Sequence, residues 1–407
     1  MRRRDFVTRA GLATAAVASG RAASGSGLRD PGALSADTTL RLAAELTAYR
    51  ATLLGLRRRR PGLRWLPDAR FFLFGAGPRR TKLVYQAGVL REDGGQVVHR
   101  WDVAEERIVP SAYAVWLKTS EGAVVVIAED EEGVWIEEGP GREALTRAPV
   151  RLPAFAGHPL ASVLRVLHHE ILVSFVDGGP VPNRFVYRKP WMRDGAMVGM
   201  VLAETGNLDL LRDWVLGLRD PYDRNNAGEE EADNLGQALY LVSLVSDRQH
   251  PLVATVLSEI GRFRKGGFIE GRSDFANHPV YQTAFLKLGL RRLGLPDPWA
   301  LPAVADGYGP LAWWISRQGR VDVPRFDTQA AIRYPYLVWA EDHFHTSANG
   351  LLGNRDYPLT WEAHASQADY EGMGSIGAAF TEARLCAPHT WHGAEMFLLL
   401  KGVETAP

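Results

Sequence analysis

An aromatic ring, a guanidinium and a carboxylate together open one predicted helix near the middle of the chain. In RKPWMRDGAMVGMVLAETGN, residues 188–207, Trp191, Arg193 and Asp194 precede an apolar run that ends at Gly-Asn. Asp offers two acceptors and Arg a planar fork of donors, a combination that can hold neighbouring hydroxyl groups. An indole adds a flat apolar face. The simpler interpretation, a carboxylate that favours the helix dipole, accounts for Asp194 but for neither of the other two.

A second polar stripe lies in RNNAGEEEADNLGQALYLVSLV, residues 224–245. Glu231, Asn234 and Gln237 are spaced three apart, which places them on one face of a helix whose other faces are apolar. Asp233 lies beside them in the chain. We expect at least one of Glu231 and Asp233 to face a ligand. The alternative is that the acidic run is only a charged helix entrance.

A third cluster begins the apolar helix predicted in FANHPVYQTAFLKLGL, residues 275–290. His278, Tyr281 and Gln282 stand together at this helix entrance and are candidates for binding a ligand. A lone histidine is more often a structural group than a catalyst, so a structural role is the alternative for His278. Just upstream, Ser273 or Asp274 is expected to cap the helix.

The most polar stretch is RDYPLTWEAHASQADYEGMG, residues 355–374. Trp361 and Glu362 are adjacent, and His364 and Tyr370 follow them. An apolar wall raises the pKa of a carboxyl group, as a general acid requires, so Glu362 beside an indole is a candidate catalytic group. The alternative is a charge at the start of a helix.

The last cluster opens PHTWHGAEMFLLLK, residues 388–401. Trp391 begins it, and His392 and Glu395 lie three residues apart on one face of the predicted helix. We expect these three side chains to border the same site.

These stretches resemble the six-hairpin glycosidase-like superfamily, the (α/α)6 toroids that include glucoamylases, trehalases and debranching-type enzymes. Residues 191–196 match its W-x-R-D-x-A helix start. The resemblance implies that Arg193 and Asp194 hold the hydroxyls of the sugar in the terminal subsite. Asp233 begins a stretch similar to the D-x-x-G-Q/L helix that lines the toroid mouth. The Pro-x-x-Trp opening at residue 388 is similar to the closing helix, where Trp391 would edge the site.

The expected activity is therefore hydrolysis of a glycosidic bond in an oligo- or polysaccharide by two carboxyl groups, with inversion. One carboxylic acid protonates the departing oxygen while a carboxylate activates water on the opposite face of the sugar. The candidate pair is Glu362 with Asp233 or Glu231, and the assignment of acid and base stays open. The substrate-binding candidates are Trp191, Arg193, Asp194, Asn234, Gln237, His278, Tyr281, Gln282, Trp361, His364, Tyr370, Trp391, His392 and Glu395.

Two other functions remain open at this point. A polysaccharide lyase on an α/α toroid would use Tyr and His as base and acid, for which Tyr281, Tyr370, His364 and His392 are candidates. A non-catalytic glycan-binding protein is the second, because a fold does not dictate activity. We expect no cofactor and no catalytic metal, with structural calcium on loop carboxylates left open. The sequence carries no indication of oligomeric state.

The elements that position these residues fall into two kinds, which predicts an α+β fold with an N-terminal antiparallel β-layer. Apolar spacing predicts an amphipathic helix at 38–58 within a linker segment, 28–64. From residue 65 to residue 136 the period changes to two between Gly, Asp and Glu turns, which predicts roughly six strands within a β-rich domain at 65–150. Residues 151–407 return to helical spacing and predict an (α/α)n toroid. About ten helix candidates fall short of the twelve in a complete (α/α)6 ring, so an incomplete toroid stays open.

The helix candidates of the second part are 160–175, 193–204, 209–218, 232–246, 251–263, 280–293, 309–316, 329–339, 366–384 and 392–400. Their linkers are rich in Gly, Pro, Asn and Asp, which interrupt regular helices.

Residues 1–27 are interpreted as an export signal rather than as part of the fold. MRRRDFVTRAGLATAAVASGRAASGSG has a basic start, a mildly apolar Ala-rich stretch and small residues suited to cleavage. Its Arg3-Arg4-Asp5-Phe6-Val7 resembles a twin-arginine signal. We therefore expect a periplasmic or extracellular protein. No other stretch reaches the roughly 18 apolar residues of a membrane span.

Charge and cysteine usage exclude two further classes of protein. Residues 1–23 hold five Arg and one Asp, so the remainder carries 42 basic and 46 acidic groups, which argues against nucleic-acid binding. Cys386 is the single cysteine, so no internal disulfide can form. It falls in FTEARLC, which is interpreted as helix, and this argues against a catalytic cysteine.

Overall fold

The computed structural model describes residues 31–59, 66–176, 178–225, 227–274, 276–304, 306, 308, 315, 354–364 and 368–402. The predicted signal peptide, the predicted helix 329–339 and most of the predicted helix 309–316 lie outside these residues. In the described part, strands dominate before residue 150 and helices after it. The predicted mixture of helix and strand with an N-terminal antiparallel sheet region is confirmed.

Helix α1 (Pro31–Arg59) is followed by two antiparallel sheets in which each strand pairs with the next one along the chain. The first sheet contains β1 (Phe72–Phe74), β2 (Leu83–Gln86), β3 (Val89–Glu92) and β4 (Val97–Arg100). The second contains β5 (Val103–Val109), β6 (Ala114–Thr119), β7 (Val124–Glu129), β8 (Gly133–Glu138) and β9 (Gly141–Arg147).

Nine strands occur here, against roughly six predicted, because residues 87–88 and 101–102 each divide a predicted strand into two, and β9 lies beyond the residues with period two. Residues 81–90 (TKLVYQAGVL), whose alternation is typical of one strand, bend at Ala87 and Gly88, whose φ angles of 46° and 77° are those of a two-residue hairpin turn. A Cβ atom on Gly88 would lie 2.7 Å from the carbonyl oxygen of Trp101. Glycine is therefore required at this turn on both conformational and steric grounds.

The long helices of the second part agree with the predicted ones within a few residues. They are α2 (Ala161–Leu172), α3 (Met192–Thr205), α4 (Asp209–Gly217), α5 (Asp233–Val245), α6 (Pro251–Glu259), α7 (Pro279–Arg292) and, after two short ones, α10 (Thr390–Lys401). The predicted helix 251–263 ends early, since residues Ile260–Phe263 tighten into a 3₁₀ turn.

The predicted helix 366–384 is wrong. Its described residues form only two short helices, α8 (Glu371–Gly374) and α9 (Ala378–Glu382). Three glycines between residues 371 and 377 weaken a continuous helix, since each is unfavourable by roughly 1 kcal/mol relative to Ala. The helical interpretation of FTEARLC is also wrong, because Cys386 lies in a strand after α9 has ended.

Four two-stranded antiparallel pairs lie among the described helices, three of them local hairpins and the fourth joining segments more than 20 residues apart. They are β10 (Phe175–Val176) with β11 (Gly179–Pro180), β12 (Arg264–Lys265) with β13 (Phe268–Ile269), β14 (Arg272–Ser273) with β15 (Ala276–Asn277), and β16 (Glu362–Ala363) with β17 (Leu385–Cys386). In the last pair Glu362 lies directly opposite Cys386.

Close helix packing positions the polar helix beginnings. Helix α3 packs against both α5 and α10, and α5 packs against α7. The α5–α7 contact is close enough that a Cβ atom on Gly236 would lie 2.4 Å from the backbone nitrogen of Leu286. A Cβ atom on Gly289 would likewise lie 2.5 Å from Cβ of Leu239. The beginning of α5 is therefore held by close backbone packing against α7.

The sheets and the helices share one hydrophobic core, to which Phe72, Val115 and Leu167 all belong. A buried charge network crosses the same boundary. Glu129 at the end of β7 accepts hydrogen bonds from Arg80 at 2.8 Å and contacts Nε2 of His169 in α2 at 2.7 Å.

The described helices include none that combines the length and the apolar character needed to cross a membrane.

Candidate active site

Helix α3 begins at a partly exposed indole and a buried acid. Trp191 immediately precedes the helix and meets the ring of Tyr187 edge-on, with 6.2 Å between ring centroids. Asp223 accepts a 2.6 Å hydrogen bond from the backbone N–H of Met192 and so satisfies one of the free donors of the helix start. Asp194, in the first turn, is only 4% exposed, and its Oδ1 lies 3.4 Å from Oγ1 of Thr390.

Arg193 is the centre of a buried cluster of carboxylates. Its Nε donates to Asp233 at 3.0 Å, Nη2 to Glu231 at 2.6 Å and Nη1 to Asp274 at 2.6 Å. The three negative charges raise the pKa of Arg193 further above its usual range, although burial opposes this. The guanidinium that was predicted to bind sugar hydroxyls therefore binds Asp233 at the start of α5, Glu231 just before it, and Asp274 of the β14–β15 turn.

Asp233 uses both of its carboxylate oxygens within the protein. Oδ2 accepts from Gln237 at 2.6 Å as well as from Arg193, and Oδ1 accepts from Oγ of Ser273 at 2.5 Å. Gln237 also donates to the hydroxyl of Tyr281 at 3.1 Å and accepts from Asn234 at 3.0 Å. The structure thus brings the polar residues of the second and third predicted clusters into one hydrogen-bonded network.

His278 and Gln282 join this network from the start of α7. The ring of His278 stacks on Tyr308 at 3.8 Å, and its Nδ1 lies 2.9 Å from Oδ1 of Asp306. Gln282 donates to Oγ of Ser273 at 2.9 Å. The hydroxyl of Tyr308 donates to Asp274.

The expected capping of α7 by Ser273 or Asp274 is wrong. Asp306 accepts from the backbone N–H groups of Val280 at 2.8 Å and Tyr281 at 3.0 Å, which caps the helix from a distant segment. Since a side-chain acceptor already satisfies those donors, Asp274 is available to bind Arg193 instead.

Glu362 lies in a second centre, beside the first. Its Oε2 is 2.8 Å from Nε2 of His389, accepts from the hydroxyl of Tyr187 at 3.2 Å, and is 3.8 Å from Sγ of Cys386. The Glu362 side chain is 24% exposed, so it can meet a solute. Burial would raise the pKa of Glu362, but the charge and hydrogen bond of His389 bring it below its usual range.

Asp194 shows the opposite shift. Burial raises the pKa of its carboxyl group from 3.8 to about 7. The positive charges of His389 and Arg193 oppose this shift, and the negative charges of Glu362 and Asp223 add to it. Glu362 and Asp194 both raise the pKa of His389, against the effect of its burial. His389 is thus electrostatically coupled to two acids. The carboxyl group of Asp194 favours its neutral form, and that of Glu362 favours its ionised form.

Buried aromatic and imidazole groups enclose this centre. Trp361 and Trp391 are 3% and 6% exposed, and Cζ of Arg193 lies 5.8 Å from the ring centroid of Trp391. His392 contacts the carbonyl oxygen of Trp361 through Nδ1 at 2.5 Å, and burial lowers its pKa to about 3, so its ring is neutral. Glu395, three residues further along α10, is fully buried.

The remaining candidates lie in different surroundings. His364 is exposed, and its backbone N–H donates to the carbonyl oxygen of Arg384 at 2.9 Å. Tyr370 is buried beneath Arg384, whose Cζ is 5.2 Å from the ring centroid. Tyr281 is buried, and its hydroxyl accepts the hydrogen bond from Gln237 in the network around Arg193.

Several residues of the site were not among the sequence candidates, chiefly Tyr187, His389, Asp274 and Tyr308. His389 had a usable signal, because it directly precedes the polar start of α10 in PHTWH. Tyr187 and Tyr308 had none, since each reaches its partner through a contact far away in the chain.

Comparisons of the chain with protein-family models, with curated proteins and with solved structures gave no match.

Proposed function

We propose that this protein is an exported glycoside hydrolase that uses Asp194 as general acid and Glu362 as general base. The observation that carries the proposal is the opposite direction of their pKa shifts around His389. Pairs of acids whose surroundings push their pKa values apart are the arrangement that acid–base catalysis needs. Asp194 holds its proton up to about pH 7, while Glu362 stays ionised and able to take a proton from water.

In this assignment Asp194 takes the catalytic role that the sequence analysis gave to Asp233 or Glu231. Asp233 is fully buried and bonds to Arg193, Gln237 and Ser273, so it has no oxygen left for water or sugar. Burial also raises the pKa of Glu231 to about 7, but both of its oxygens bind protein donors. We assign these two acids to fixing Arg193.

In the proposed mechanism the acid protonates the glycosidic oxygen as the bond to the sugar breaks. The base takes a proton from a water molecule that attacks the opposite face, which inverts the anomeric centre. The partly exposed Trp191 offers a face for the C–H side of a sugar ring, and Asp274, whose side chain is 26% exposed, can accept from its hydroxyls.

The packing of α10 supports a toroidal arrangement of the helical part. This helix, the last in the described chain, contacts both α2 and α3, which are the first long helices after the sheets. A ring of helix pairs closes in this way, when its last helix returns to its first. Together with the resemblance of residues 191–196 to a toroid helix start, this favours an α/α toroid.

Export rests on residues 1–27, and the mature amino terminus tests it. Expression of the full chain in a bacterium with a twin-arginine system, followed by mass measurement of the periplasmic product, should show loss of roughly the first 23–27 residues. Replacing Arg3 and Arg4 together by Lys should keep the uncut chain in the cytoplasm, whereas unchanged export would contradict the assignment.

A polysaccharide panel tests the activity itself. The purified mature protein is incubated with neutral glucans, mannans and arabinans and with uronate polymers. Reducing ends that appear without ultraviolet absorbance support a hydrolase, and an inverted anomer seen first by NMR supports the two-carboxylate mechanism. New absorbance from an unsaturated uronate would instead select a lyase, and tight binding without products would select a glycan-binding protein.

A further inference from the structure

Three side chains of different chemistry converge at the second centre. A carboxylate oxygen of Glu362, the sulfur of Cys386 and a ring nitrogen of His389 all lie within 4.8 Å of one another. Carboxylate, thiolate and imidazole are the three ligand types that zinc takes in proteins. A simple hydrogen-bonded acid–imidazole pair accounts for Glu362 and His389 but not for the sulfur beside them.

The backbone fixes the positions of all three groups. Glu362 and Cys386 face each other across the β16–β17 pair, and His389 follows Cys386 by three residues, just before α10. The backbone N–H of His389 donates to Oγ1 of Thr360 at 3.0 Å. Two ligands three residues apart, with a third from a paired strand, form a preorganised set.

The distances are close to those of a coordinated ion. With bonds of roughly 2.0–2.3 Å, tetrahedral ligands lie about 3.3–3.8 Å apart. Sγ of Cys386 is 3.8 Å from Oε2 of Glu362, which already fits. Nε2 of His389 is 2.8 Å from the same oxygen, so this hydrogen bond would lengthen by about half an ångström as a metal replaces its proton.

The site combines a buried imidazole with a carboxylate that solvent can reach. His389 is buried, and its Nδ1 has no hydrogen-bond partner among the described residues, so the contact of Nε2 with Glu362 is the hydrogen bond that holds its ring. The 24% exposure of Glu362 provides a path for an ion and a position for a fourth ligand from solvent.

We propose that Glu362, Cys386 and His389 form a binding site for a zinc-class divalent cation. Binding releases the thiol proton and any proton shared by Glu362 and His389, so both protons leave to solvent as the metal bonds form. The consequence for activity rests on the proposed function: a bound ion takes the lone pairs of Glu362 and thereby inhibits the hydrolase.

Cobalt titration of the mature protein tests the site without an activity assay. Because Cys386 is the only cysteine, a thiolate-to-cobalt absorption band reports on this residue alone. We expect the band to appear in the wild type, to be displaced by zinc, and to be absent in Cys386→Ala. Zinc affinity should fall at least ~100-fold in Cys386→Ala and in His389→Ala. Losing a group that only supports a ligand lowers metal affinity by about 10–100-fold, and losing a ligand itself should cost at least as much.

His99→Ala is the matched control, because its imidazole lies in β4 of the first sheet and should leave zinc affinity unchanged. Circular dichroism confirms that each variant is folded. Absence of a cobalt band in the wild type, or equal zinc affinity in wild type and Cys386→Ala, would overturn the metal site.

The two proposals fail separately. Zinc binding that depends on Cys386 in a protein with no glycosidase activity would support the site and remove the hydrolase. In an active protein, zinc should inhibit the wild type while Cys386→Ala resists inhibition by at least ~100-fold in concentration, matching its loss of affinity. Full activity of the zinc-saturated wild type would overturn the inhibitory role.

Discussion

The opposite pKa shifts of Asp194 and Glu362 predict how the activity depends on pH. The pKa of Asp194 is raised to about 7 by burial, and that of Glu362 is lowered by His389 despite burial. We expect kcat/KM to be greatest on the acidic side of neutrality and to fall tenfold per pH unit above about 7, as Asp194 loses its proton. Steady-state rates from pH 4 to 9 measure this profile, and undiminished activity at pH 9 would remove Asp194 as the acid.

The same carboxyl group affects stability. Its pKa rises from 3.8 in the unfolded chain to about 7 in the fold, so the unfolded state loses its proton first and stability falls as pH rises between those values. Asp194→Asn removes this dependence. We expect the free energy of unfolding of the variant to gain roughly 2–4 kcal/mol relative to the wild type between pH 4 and pH 8. Urea unfolding at both pH values measures the difference. If the free energies of unfolding of variant and wild type differed by the same amount at both pH values, the pKa of Asp194 would not be raised by burial.

At the residue scale, sequence located the polar helix beginnings but not their partners. Trp191, Arg193 and Asp194 were recognisable because their residue types are unusual at a helix start. The sequence could not show that Arg193 binds three carboxylates, since Asp274 comes from a turn 81 residues away. Cys386 was set aside because its segment was interpreted as helix, and only the strand pairing places its sulfur beside Glu362.

Helix α5 carries Asp233 and Gln237, and its contact with α7 holds them in place. A Cβ atom on Gly236 would lie 2.4 Å and 2.5 Å from backbone atoms of Leu286 and Phe285, which cannot move as a flexible side chain can. We expect Gly236→Ala to destabilise the protein by about 1–3 kcal/mol and to lower activity by displacing the start of α5. Thermal unfolding and the rate on the best panel substrate measure both effects.

Gly217→Ala is the control for that change, because a Cβ atom on Gly217 would meet no atom of the described residues within 4 Å and its φ angle is ordinary. It should be neutral or slightly stabilising in the last residue of α4. Equal stability of the two variants would show that α5 and α7 are not packed this closely.

At the element scale, periodicity was a reliable guide to long helices and a poor one to short elements. Helices α3 and α5 lie within two residues of their predicted bounds, because many residues share one apolar period. The pair β16–β17 has two residues in each strand, too few for any period, and its partners are more than 20 residues apart. That pair carries Glu362 and Cys386, so the sequence indicated Glu362 as a site residue but not the sulfur that lies beside it.

The whole molecule is joined by the buried network at Glu129. Burial opposes its ionisation, yet the hydrogen bond of His169 and the charge of Arg80 lower its pKa from 4.5 to about 2. Its contribution to stability is therefore present above pH 4.5 and is lost as pH falls toward 2. Because Arg80 and Glu129 side chains are both 0% exposed, Glu129→Gln leaves a buried guanidinium unpaired.

We expect Glu129→Gln to lower the free energy of unfolding by about 3–5 kcal/mol at pH 7, with sheet and helix signals lost in a single transition. Far- and near-ultraviolet circular dichroism in urea measures both. Glu105→Gln is the control: its pair with Arg107 is 49% and 36% exposed, and its loss should change stability by less than about 1 kcal/mol. Two separate transitions in the wild type would show that sheets and helices fold independently.

The most direct measurement of the central claim is the rate of Asp194→Asn and Glu362→Gln on the best substrate of the panel. Each variant keeps its shape but cannot exchange a proton, so we expect each to lose at least ~100-fold in kcat at pH 6, the scale of one acid or base group. Glu371→Gln, which changes an exposed acid of α8, should retain full activity. Wild-type rates in Asp194→Asn or Glu362→Gln would contradict a mechanism built on these two carboxyl groups.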